Sequence, residues 1–173
     1  MELIKLKIPT TFTAVHAVLS WREVRFGVVE GLLDPRAAID IALDQLDTKG
    51  EPSAALLELA SLGRDESVMP LVEQLANSEP PCDEESIRDK WLHIVLAWLY
   101  EHRAEFSDPL QTVEEVYADF DYPEQIASFV RYMPMQGPDL GSRVANERRL
   151  FERWKVFVEN WRTKGARPTK DVL

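Results

Sequence analysis

The stretch "WLHIVLAWLY", residues 91–100, is the longest apolar run in the chain, and its reading decides the fold. It is about half the ~20 apolar residues that a membrane-spanning helix needs, and charged residues flank it on both sides. Ile87, Trp91, Ile94, Val95, Trp98 and Leu99 fall at helical spacing, so the stretch predicts a buried helix from about Glu84 to Phe106. That helix is expected to form the centre of the core. Trp154, Phe157 and Trp161 of a last helix, over roughly Val144–Thr163, are expected to join it.

Outward from this helix, the punctuation is helical. "SWRE" at 20–23 is a capping box: the Ser20 hydroxyl accepts from the Glu23 amide, and the Glu23 carboxylate reaches back. Trp21, Val24, Val28 and Leu32 follow, and Gly31 is placed to end the helix. Asp34-Pro35 and Asp108-Pro109 each read as an N-cap followed by a first-turn proline. The first opens a stripe of Ala38, Ile41, Ala42 and Leu46. The second opens a stripe of Leu110, Val113, Val116, Tyr117 and Phe120. Pro123 reads as another first-turn proline, with Asp121 as N-cap or near-cap. "EPSAALLELASLG" and "RDESVMPLVEQLANS" read as two short helices around Gly63-Arg64-Asp65, with the texture of a solenoid helix pair. Only "ELIKLKI" (2–8) has strand character, and no partner strand is evident. The expected architecture is all-α: one domain over 1–173 of about seven or eight helices, with an arm at 1–12 and a loose tail at 166–173.

The formal charge of −10 argues against nucleic acid or an anionic membrane as partner, because both reward positive surface. It favours a basic partner. Cys82 is the sole cysteine, so no intrachain disulfide forms, which fits a reducing cytoplasm. Its acidic neighbours Asp83, Glu84 and Glu85 disfavour a reactive thiolate. The N-terminus lacks the apolar core of a signal peptide.

The residue types that carry catalysis are sparse. There is no phosphate loop, no Gly-x-Ser-x-Gly elbow and no Cys-x-x-Cys pair. The histidines are His16, His93 and His102. Asp89 and His93 share a helix face, as do His102 and Glu105, but the Glu-x-x-His pattern of helical di-metal sites is absent. No cofactor, metal or catalytic residue is expected, and the chain does not read as an enzyme.

One segment remains to be explained. "VYADFDYPEQIASFVRYMP" (116–134) sets carboxylates among tyrosines and phenylalanines. Acidic residues dominate from Glu101 to Glu124, and basic residues from Arg143 to the end. Part of this opposition is expected to pair within the fold. The remainder predicts an acidic, aromatic partner-binding face made by Glu114, Glu115, Tyr117, Asp119, Asp121, Tyr122 and Glu124. On the alternative account, the acids cap helices and the rings are core.

The segments at 20–42 and 98–134 resemble a small bacterial all-α family with members among the immunity proteins of polymorphic and contact-dependent growth-inhibition toxin systems. The resemblance implies an antitoxin that binds and neutralises a cognate toxin domain in the cytoplasm. A basic nuclease is the toxin that best suits an acidic inhibitor. The competing reading is a small helical adaptor without a toxin partner, suggested by the solenoid-like pair.

Overall fold

The computed structural model describes residues 6–48 and 50–165, with side chains through Arg162. Every regular element among them is helical, as expected from the apolar spacing. The chain divides between Trp91 and Leu92 into two compact units.

The first unit holds α1 (Thr10–His16), α2 (Trp21–Val29), α3 (Ala37–Thr48), α4 (Ala54–Ala60), α5 (Met69–Ser78) and the first half of α6 (Glu84–Glu101). Helix α2 packs on α5, α5 on α4, α4 on α3, and α3 on α1. The α2–α5 contact closes the unit between elements distant in sequence. A solenoid instead stacks neighbour on neighbour, so the α4–α5 pair is part of a closed bundle. Glu79, just past α5, holds the start of α2: its carboxylate accepts from the amides of Trp21 (2.8 Å) and Arg22 (3.0 Å). An anion at a helix N-terminus satisfies orphan donors and meets the positive end of the dipole.

The capping box forms as expected, with Ser20 Oγ accepting from the Glu23 amide at 3.2 Å and the Glu23 carboxylate accepting from the Ser20 amide at 2.7 Å. Trp91 is fully buried, and its indole N–H donates to the Glu23 carbonyl at 2.9 Å. Gly27 makes room for it. A Cβ on Gly27 would stand 2.4 Å from the Trp91 ring, so only glycine lets α2 pass this close.

Three expectations for this unit need correction. The sequence arm includes a helix, since α1 begins at Thr10; its β-branched threonines hide it from propensity. The Asp34 cap does not start an α-helix at Pro35. Asp34 accepts from the Arg36 amide, the first turn is tightened, and α3 proper begins at Ala37. Leu6–Ile8 is not a strand; Ile8 donates one backbone bond to Leu32 at 2.7 Å. The rest of "ELIKLKI" and the tail at 166–173 lie outside the described residues.

The second unit holds the remainder of α6, a 3-10 turn at Arg103–Glu105, α7 (Pro109–Asp119), a 3-10 helix at Glu124–Phe129, and α8 (Arg143–Gly165). Helix α6 therefore stops short of Phe106. Helix α8 packs on the 3-10 helix. Ile94, Val95, Leu96 and Trp154 are buried, and the Trp154 indole N–H donates to the Leu96 carbonyl at 3.1 Å. Trp98, Phe157 and Trp161, expected in the core, are half-buried. Trp98 stacks on His102 and meets Phe106 edge-on, while His93 stacks on Phe157 and Trp161. Aromatic side chains at helical spacing mark a contact face, and some of these line its rim rather than its centre.

Candidate partner-binding edge on α7

Helix α7 opens as its sequence predicts. Asp108 accepts from the Gln111 amide at 3.2 Å, and Pro109 occupies the first turn. Leu110, Val113, Val116, Tyr117 and Phe120 are all buried. The helix ends differently from the expectation. Asp121 is not the N-cap of a following helix, and the 3-10 helix at Glu124–Phe129 has no side-chain cap at all. Instead Asp121 and Tyr122 both adopt left-handed backbone, with φ of 64° and 57°.

The backbone bonds identify the motif. Tyr122 N–H donates to the Tyr117 carbonyl at 2.8 Å, and Asp121 N–H to the Ala118 carbonyl at 3.2 Å. This is the Schellman closure, with Asp121 at the position usually given to glycine. The apolar contact that accompanies such a closure is present: the rings of Tyr117 and Tyr122 meet edge-to-face, 5.3 Å apart. For an ordinary L-residue, left-handed backbone costs about 1–2 kcal/mol. Asp tolerates it better than most, whereas a bulky residue there is a genuine outlier.

The seven residues of the predicted face do not share one environment. Tyr117 is buried, with its hydroxyl 3.8 Å from Met133 Sδ. Glu114 is committed to Arg131, whose Nε donates to it at 3.1 Å; the same guanidinium holds Asp108 at 3.0 Å. Asp119 is partly buried. Glu115, Asp121, Tyr122 and Glu124 are exposed, Tyr122 by 59%. So Tyr117 supports the edge from beneath, Glu114 belongs to an internal network, and the other exposed side chains are open to solvent.

Tyr132, absent from the predicted face, adjoins it. It is 58% exposed, and its ring centroid lies 6.1 Å from that of Tyr117. Desolvation raises its phenol pKa, and Tyr117, Tyr122 and Glu114 raise it further. The sequence signal for this side of the edge was Arg131, one cation after a long acidic run. It neutralises Asp108 and Glu114, which lowers the local charge but leaves Glu115, Asp121 and Glu124 untouched. Burial alone would raise the Asp108 pKa, but its bonds to Arg131 and to the Gln111 amide bring it below the ordinary value. The expected pairing with the basic C-terminal helix is represented by Glu101 and Arg162.

Each of the three histidines stands against aromatic rings. His93 sits in the aromatic stack described above. His102 Nδ1 lies 2.9 Å from the Trp98 carbonyl, which can only accept, so that nitrogen carries the proton. His16 packs against Phe12 at 4.1 Å. Among the described residues no group of three or more His, Cys, Asp or Glu is placed to hold a metal ion, and no helix is long and apolar enough to cross a membrane. Cys82 is exposed, in the loop before α6.

No curated protein matches the chain, and no solved structure does. Residues 10–162 match a bacterial family whose description is "Uncharacterized protein conserved in bacteria" and which names neither a toxin nor an immunity role. The match runs from the first residue of α1 into the last turn of α8, and on that ground the chain belongs to this family, DUF2247.

Proposed function

We propose that this is a binding protein that docks a cationic protein through the acidic, tyrosine-bearing edge at the end of α7. The role that fits is that of an immunity protein: it neutralises a bacterial toxin domain, most naturally a basic nuclease acting in the cytoplasm. The observation that carries the reading is the helix end at Asp121-Tyr122. Two non-glycine residues hold left-handed backbone where glycine would relieve the strain, and both side chains project to solvent. Strain kept at an exposed site is a reason to look for function there. Tyrosine supplies rigid contact area at low entropy cost, and exposed carboxylates steer a basic partner and bond its lysines and arginines. The net charge of −10 extends that steering over the whole molecule.

The test is coexpression with the protein encoded beside it, followed by purification on one tag. A basic partner is expected to copurify in equal amount. Asp119→Asn with Asp121→Asn and Glu124→Gln should weaken that complex and flatten its salt dependence, with the melting temperature nearly unchanged. If the triple variant loses stability but its folded fraction binds as before, these residues are structural and the proposal fails.

A further inference from the structure

The second unit carries a cleft of about 500 Å³ between the 134–142 loop and the N-terminal half of α8. Four arginines line it, against the two carboxylates of Asp139 and Glu147. In a chain of charge −10 this is a local reversal of sign. The arginines are not equivalent. Arg131 is taken up by Asp108 and Glu114, and Arg143 by Glu147 at 2.8 Å. Arg149 and Arg153 bond only main-chain carbonyls: Arg149 that of Pro138 at 2.8 Å, and Arg153 those of Ser128 (2.9 Å) and Gln136 (2.5 Å). Carbonyl oxygens satisfy donors and fix the guanidinium planes, but they bring no negative charge.

The two guanidiniums also stand side by side. A Cβ on Gly137 would lie 3.2 Å from Arg149 Nη1 and 4.0 Å from Arg153 Nη2, so both guanidiniums converge on one point of the loop. Gly137, at φ +112°, adopts a backbone that other residues avoid, and it leaves them that space. Arg149 Nε is buried without an acceptor. Two adjacent guanidiniums whose hydrogen bonds go to main-chain carbonyls, with the Asp139 carboxylate acting on Arg149 from the same cleft, are an arrangement that a planar oxyanion completes. The remaining wall is mixed: Val130, Met133, Pro134, Met135 and Leu150 give it apolar surface, beside the polar Ser128, Gln136, Ser142 and Asn146. The volume is that of a small-molecule site.

We propose that this cleft binds a small organic anion, with an acidic head on Arg149 and Arg153 and an apolar body against Val130, Met133 and Leu150. Benzoate and phenyl phosphate are the probes, one for each head chemistry. Added to the full chain, at least one should raise the melting temperature saturably. Sodium chloride at equal ionic strength, benzyl alcohol and inorganic phosphate should not match it. Arg149→Gln should weaken that probe about tenfold, and Arg149→Lys, which keeps the charge but loses the fork, should weaken it less. Asp121→Asn, on the acidic edge, should leave the affinity as it was. The proposal is overturned if neither organic anion gives a saturable rise, if inorganic phosphate does as well as both, or if Arg149→Gln binds like the parent. Should Arg149→Gln fail to fold, Arg149→Lys decides, and unchanged affinity in it overturns the site.

Discussion

Helices α2 and α7 are built alike and end differently. Each is opened by a side-chain cap, Ser20 in one and Asp108 in the other, and each buries one apolar face. Each is closed by a left-handed residue whose amide bonds back at 3.2 Å, Gly31 to Val28 and Asp121 to Ala118. In α2 the closing residue is glycine, at φ +77°, and a second glycine lets the helix lie against Trp91. In α7 the closing residues are Asp121 and Tyr122, which carry side chains at a backbone cost. The difference separates a helix end that only has to turn the chain from one that also presents groups to solvent.

The strongest way to break the comparison is at Gly27. Gly27→Ala drives a methyl into a buried indole that cannot retreat, and calorimetry or denaturant unfolding should show a loss of about 1–3 kcal/mol. A neutral result would mean that the tight α2–Trp91 contact is not needed. Next is Gly31→Ala. Nothing lies within 4 Å of a Cβ there, so the expected loss of about 1–2 kcal/mol is purely conformational. Asp121→Gly should change stability in the opposite direction. Relief of left-handed strain, less the extra freedom of the unfolded chain, should add about 0.5–1 kcal/mol while weakening the proposed partner complex. If it destabilises instead, the Asp121 side chain supports the fold and the contrast with Gly31 disappears.

The smallest effect concerns the start of α7, where the cap is ionisable. Asp108 has a pKa below its ordinary value in the folded protein, so its contribution to stability is present above the unfolded carboxylate range, near pH 4. It is lost as pH falls through the folded pKa. Acid titration of stability should therefore show a component below about pH 4 that Arg131→Gln flattens. An unchanged acid limb in that variant would remove Arg131 as its cause.

The legible parts of the fold were those with local causes. Capping boxes, first-turn prolines and apolar stripes act within one or two turns, which is why α2, α4, α5, α6, α7 and α8 lie close to where their residues place them. The edge was legible only in part. The density of acids and tyrosines at 114–124 is plain in the chain, but Arg131 and Tyr132 join it only through folding, and Glu114 is withdrawn from it by the same step. Asp121 before Tyr-Pro reads as a cap because Asp caps helices far more often than it ends them in left-handed backbone.

By itself the sequence determined the helical class, the apolar faces, the acidic balance and most helix starts, because each follows from spacing or from a side chain bonding its own neighbours. Tertiary structure alone decided the rest. It joined α2 to α5 through Glu79, set Gly27 against Trp91, and left Trp98 at a rim instead of a centre. It also brought Arg149 and Arg153 together over Gly137. Those outcomes depend on which distant surfaces meet, and no local propensity carries that information.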